Sequence, residues 1–203
     1  MKLTTLLAAS ALLTSGVSFG AAGIFDELVW VTTITPFDYG TSTFYEIDSD
    51  TANLFSATEF QGANLGAFTV GGSLFLSGQQ KSFKNGGTDV TQHALFWSLD
   101  GGVTNNVLNY PFQADLGGGD QRWGSDATGG LTSNILTGLP NGAYTLTVFS
   151  GIITNNVDAS PQIFNNRGGQ NYNATFTVIP EPSSAALLGL LGTAVLLRRR
   201  KKF

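Results

Sequence analysis

Apolar and polar positions alternate with a period of two through most of residues 23–179, and no stretch there sustains a helical period. Leu28 to Ile34 reads as a strand of β-branched and aromatic residues. Gly66 to Val70 and Ser73 to Ser77 are apolar runs parted by Gly71-Gly72. Ala94 to Leu99 predicts a strand that closes on the turn Asp100-Gly101-Gly102. Pro140-Asn141-Gly142 introduces a strand from Ala143 to Ser150, with Tyr144, Leu146 and Val148 on one face and Thr145 and Thr147 on the other. The last strand, Asn173 to Ile179, sets Ala174, Phe176 and Val178 against Thr175 and Thr177. From Pro111 to Thr137 the alternation weakens, which predicts a long loop with room for one short strand. Strands spaced about 10–15 residues apart, with Gly-rich turns, predict an all-β fold. The expected architecture is an antiparallel β-sandwich, jelly-roll-like by preference; an Ig-like sandwich or a small barrel would carry the same signature.

The two ends break this pattern. Lys2 precedes an apolar run from Leu3 to Leu13, and the small residues Ser18, Gly20, Ala21, Ala22 and Gly23 follow. That order is a signal peptide over residues 1–22, cut by signal peptidase after Gly20 or Ala22. At the other end, Pro180-Glu181-Pro182 is followed by Ser183-Ser184, an apolar run of 13 residues from Ala185 to Leu197, and the cations Arg198, Arg199, Arg200, Lys201 and Lys202. The run is short against the ~20 residues of a comfortable bilayer span. The two serines and snorkelling arginines extend its reach. The cationic cluster belongs on the cytoplasmic side, which leaves residues 23–179 outside, in agreement with the signal peptide.

This three-part tail, residues 180–203, resembles the PEP-CTERM sorting signal of Gram-negative bacteria. The resemblance covers the tail and not the β-rich body. It implies that Pro180, Glu181 and Pro182 form the motif read by a membrane protease, exosortase. The basic cluster Arg198 to Lys202 would act as the stop, and the helix would hold the protein in the inner membrane until processing. It further implies a final place at the cell surface or in the extracellular matrix, and an association with exopolysaccharide or biofilm. In physical terms the prolines stop a helix and keep the motif extended.

Charge and composition narrow the function of the body. Residues 23–179 hold thirteen acids, all from Asp26 to Asp158, against only four bases, Lys81, Lys84, Arg122 and Arg167, so the body carries about −9. Such a surface repels phosphate backbones and argues against nucleic-acid binding. The chain has no cysteine, so disulfides and thiolate metal sites are excluded. Its single histidine, His93, cannot build a multi-histidine metal site and reads as a surface or strand-end residue at the entrance to a strand. No Gly-x-Ser-x-Gly elbow is present, and the Gly pairs and triplet lack the Lys-Ser/Thr of a phosphate loop. The expectation is a non-enzymatic protein, with a carbohydrate-binding module as the alternative and a glycan hydrolase behind it. Two candidate sites lie in the stretch of weak alternation. Asp115, Asp120 and Asp126 around Gly117-Gly118-Gly119 are candidate calcium ligands, since calcium takes carboxylate oxygens from loops. Trp123, outside any clear strand, is the candidate stacking face for a glycan, whereas Trp30 and Trp97 sit in apolar strands and read as core.

Overall fold

The computed structural model describes residues 22–47, 58–102, 106–155, 157 and 161–181. The expected signal peptide up to Ala21 lies outside them, as do Pro182, the sorting helix and the basic cluster. Twelve strands occur among the described residues: β1 (Ala22–Thr32), β2 (Thr43–Glu46), β3 (Thr58–Glu59), β4 (Asn64–Thr69), β5 (Phe75–Lys84), β6 (Val90–Leu99), β7 (Asn106–Tyr110), β8 (Phe112–Gly117), β9 (Asp120–Gly124), β10 (Gly142–Thr154), β11 (Gln162–Asn165) and β12 (Tyr172–Ile179). One six-stranded sheet runs in the order β3-β2-β1-β5-β9-β8. The other runs β4-β12-β10-β6-β7, with β11 paired to the far half of β10. The two pack face to face as an all-β sandwich. The pairing is mostly antiparallel, but β2 with β3 and β4 with β12 are parallel, so both sheets are mixed.

The inward faces follow the predicted alternation where the side chains are apolar. On β12, Ala174, Phe176 and Val178 are buried while Thr175 and Thr177 are exposed. Leu146 and Val148 of β10 join them in the main core, with Val29 and Val31 of β1 opposite. Asp100 and Gly101 take positive φ at 49° and 68°, and the Asp100 carboxylate accepts from the Thr145 amide at 2.7 Å, so the predicted turn after β6 is also a tie to β10. Trp97 is core as expected. Trp30 is buried too, but on the outward face of its sheet, where Phe37 and Tyr39 from the connection to β2 meet it edge-on.

The expected loop from Pro111 to Thr137 is a correction. It holds the hairpin β8–β9, and Gly117, Gly118 and Gly119 are its turn, all at positive φ. A Cβ on Gly119 would lie 2.2 Å from the Lys84 carbonyl oxygen, so only glycine fits there. The alternation is weak because β8 is an exposed edge strand and the inward positions of β9 are Gln121 and Trp123, one of them polar.

The core has two parts. The larger cluster fills one end; a small one of Ala22, Val90 and Ile152, with Ile24 and Ile163 against it, closes the other. A layer of buried polar side chains separates them.

Candidate functional site: a buried polar layer and an outer furrow

The polar layer takes one or two residues from each strand that crosses it. Glu27 of β1 and Gln80 of β5 are directly paired in register. Ser82 of β5, His93 of β6 and Ser150 of β10 are buried with them. Gln80 Nε2 donates to Glu27 Oε2 at 3.1 Å and to Ser150 Oγ at 2.8 Å. Ser150 Oγ in turn donates to Glu27 Oε2 in a short hydrogen bond. Asn165 Nδ2 donates to the same carboxylate oxygen at 3.1 Å, and Tyr172 donates to Asn165 Oδ1 at 2.7 Å. Three donors on one oxygen are the surroundings of an ionised carboxylate, which only accepts. On the other side, Gln80 Oε1 lies 2.5 Å from His93 Nδ1, and His93 Nε2 lies 3.1 Å from Ser82 Oγ. A carboxamide oxygen only accepts, so Nδ1 carries the imidazole proton and Nε2 accepts from the serine. Burial lowers the His93 pKa from 6.5 to about 3, which keeps the ring neutral.

His93 is thus a correction to the sequence reading. It is an interior residue in mid-strand, and the adjoining Trp123 ring stacks on it with centroids 4.5 Å apart and planes 14° apart. Trp123 is correspondingly only 8% exposed, with the Phe112 ring edge-on to it at 5.2 Å. It presents no open face to a sugar. Neither position was recognisable from sequence, because Gln80, paired in register with Trp123, and Ser82, which with Gln80 hydrogen-bonds His93, are themselves polar.

The three aspartates are not brought together. Asp115 is exposed at the hairpin, where Oδ1 accepts from the Gly117 amide at 2.9 Å. Asp120 opens β9, whose five residues span roughly 13 Å, and Asp126 lies beyond its far end. Asp126 is buried and accepts from the Tyr39 hydroxyl at 2.8 Å and from Gln113 Nε2 at 2.5 Å. Among the described residues no group of three carboxylate or imidazole side chains converges as a metal site. Pro180 and Glu181 are exposed immediately after β12, so the sheet ends where the expected sorting motif starts.

A concave surface lies elsewhere, on the outward face of the β7–β6–β10–β11 region. Its floor is a row of aligned residues, Asn109, Ala94, Gly151 and Phe164. Ala94 and Gly151 are small, so the row is sunken. A Cβ on Gly151 would meet the Phe164 ring at 2.7 Å, and glycine is what lets that ring lie down on the sheet. The next row, Val107, Phe96 and Phe149, forms one wall, with the two phenylalanines stacked at 4.8 Å. Gln92, Ile153 and Gln162 form the other. The resulting furrow encloses about 390 Å³, and no side chain lining it is charged. Its aromatic groups were visible in the sequence only as separate phenylalanines; cross-strand register unites them. No protein-family model matches the chain, and no curated protein matches it in sequence.

Proposed function

We propose that this protein is exported, processed at its C-terminal tail by an exosortase-like membrane protease, and retained at the cell surface or in the extracellular matrix as a non-enzymatic component associated with exopolysaccharide. The carrying observation is the ordered tail: Pro180-Glu181-Pro182, the apolar run to Leu197 and the five cations, preceded at the far N-terminus by a signal-peptide pattern. The exposure of Pro180 and Glu181 just beyond the last strand supports access of a membrane protease to the motif without unfolding the sandwich. At the front, Ala22 already pairs with Lys84 and packs with Val90 and Ile152, which favours cleavage after Gly20 over cleavage after Ala22. The Ser82–His93 pair is sealed in the interior, which supports a structural part for it rather than hydrolysis of an outside substrate. Intact-mass analysis of protein from the native host tests the reading: both the leader and the Arg198–Phe203 end should be missing. Alanine at positions 180–182 should leave the protein in the inner membrane, and surface delivery of that variant would refute the motif assignment.

The furrow favours a second reading, a surface protein that holds a glycan. Aromatic faces bury the C–H surfaces of sugar rings, and neutral amides such as Gln92, Asn109 and Gln162 exchange hydrogen bonds with hydroxyls. An uncharged furrow on a body of about −9 suits a neutral glycan and disfavours an anionic one. Glycan-array binding tests it. Phe164→Ala, at a residue 45% exposed, should abolish any binding with little loss of stability. Binding unaffected by that change would exclude the furrow.

A further inference from the structure

In the polar layer, a nucleophile, a base, an amide and an oxyanion donor are linked by hydrogen bonds. Ser150 Oγ donates to the Glu27 carboxylate. The same hydroxyl oxygen lies 2.8 Å from Nε2 of the Gln80 carboxamide, and that nitrogen also reaches Glu27 Oε2 at 3.1 Å. On the far side of the carboxamide, His93 Nδ1 lies 2.5 Å from Oε1 and points its proton at it. We propose that Ser150 and Gln80 form an intramolecular ester, a covalent cross-link between the two sheets that the folded chain makes itself.

The chemistry balances without any oxidant or co-reactant. Ser150 Oγ attacks Gln80 Cδ while its proton passes to Glu27 Oε2. Negative charge develops on Oε1, where the His93 N–H already sits; a donor placed in advance stabilises it without reorganisation. Glu27 then returns the proton to Nε2, the C–N bond breaks, ammonia leaves, and the Oγ–Cδ bond remains. Glu27 ends ionised as it began. An amide is ordinarily a poor acyl donor to a hydroxyl. Here the fold holds both groups in contact, which replaces a bimolecular encounter by an intramolecular step of high effective molarity. Ammonia is lost to dilute solution. Water, the reagent that would reverse the step by hydrolysis, is kept away because Gln80, Ser150, Glu27 and His93 are all buried. The bond would join β5 of one sheet to β10 of the other, in a chain with no cysteine to do so.

Intact-mass measurement of the full chain under denaturing conditions tests this directly. The expected mass falls short of the sequence, corrected for any removed leader or tail, by one ammonia. Proteolysis should give one branched species joining the peptide with Gln80 to the peptide with Ser150, and hydroxylamine should open it. Ser150→Ala and Glu27→Gln should each have the full, unshifted mass. Wild-type protein at its full mass overturns the proposal whatever the variants do. So does an ammonia loss that maps to cyclised Asn85-Gly86 or Asn141-Gly142 with no branched peptide.

Discussion

Mild acid should destabilise this protein through His93. The ring is held neutral by burial, with its pKa lowered to about 3 from 6.5, while in the unfolded chain it titrates normally. Between those two values the unfolded state binds a proton that the folded state refuses. Stability therefore rises with pH across the window, is fully present above about 6.5, and is lost as pH falls from there toward 3. Each pH unit in the window is worth about 1.4 kcal/mol, so the drop between about pH 7.5 and pH 5 is roughly 2 kcal/mol. The full span amounts to about 5 kcal/mol, comparable with the whole stability of a small domain. The comparison stops at about pH 5 because carboxylates begin to titrate below it. Urea denaturation of wild type and His93→Gln at the two pH values measures the effect. Glutamine keeps a donor for Gln80 and an acceptor for Ser82 but cannot take the proton. It loses stability at both pH values through the missing stack on Trp123, so the slope and not the level is diagnostic. The variant should lose about 2 kcal/mol less than wild type on acidification. Equal losses in the two proteins would refute the assignment of His93 as the buried neutral base.

Two further outcomes follow from packing. Phe176 is 1% exposed, stacked on Tyr144 at 5.4 Å and edge-on to Phe68, so Phe176→Ala should cost about 3–5 kcal/mol in urea denaturation, with Thr177→Ala next to it nearly neutral. Gly78 lies under Tyr110: a Cβ there would stand 1.8 Å from the tyrosine oxygen and 3.1 Å from the Leu28 carbonyl oxygen. Gly78→Ala should therefore cost at least about 1–3 kcal/mol. Tyr110→Phe, which removes a buried hydroxyl without a hydrogen-bond partner among the described residues, should be neutral or slightly stabilising by the same measurement.

The sequence was informative wherever an inward position is apolar. β12 and the first half of β10 have the expected facing residue for residue, because Ala174, Phe176, Val178, Leu146 and Val148 alternate with threonine. Four misjudged strand boundaries share a cause. The strand expected from Leu28 begins at Ala22, on the far side of Glu27. The one expected to end at Ser77 runs to Lys84, through Gln80 and Ser82. The one expected from Ala94 begins at Val90, with His93 inside, and the one expected to end at Ser150 runs to Thr154. Each expected boundary fell at the polar layer, since a buried Glu, Gln, His or Ser looks the same in sequence as a solvent-facing one. The furrow was hidden for a different reason. Phe96, Phe149 and Phe164 are far apart along the chain, and only strand register places them side by side.

That layer also bears on why the strands adopt one register. An apolar core alone tolerates a slip of two residues along a strand, because the same face stays inward. A slip of β5 against β1 would carry Gln80 away from Glu27, and would take its carboxamide from Ser150 and His93 as well. Every misplaced partner would leave a buried donor or acceptor unpaired, at about 1–3 kcal/mol each and more for the carboxylate. Burying these groups contributes little to net stability even when all are paired, and apolar replacements of the same shape would serve as well or better. Its effect is therefore on the alternatives: misregistered pairings lose several such bonds at once, while the native register makes them together. In a cysteine-free sandwich that role requires the layer to be complete, with Glu27, Gln80, His93, Ser150 and Asn165 drawn from five different strands. The same requirement sets carboxylate, hydroxyl, carboxamide and imidazole in mutual contact, so the arrangement that fixes the register is also the one equipped to make the Ser150–Gln80 ester.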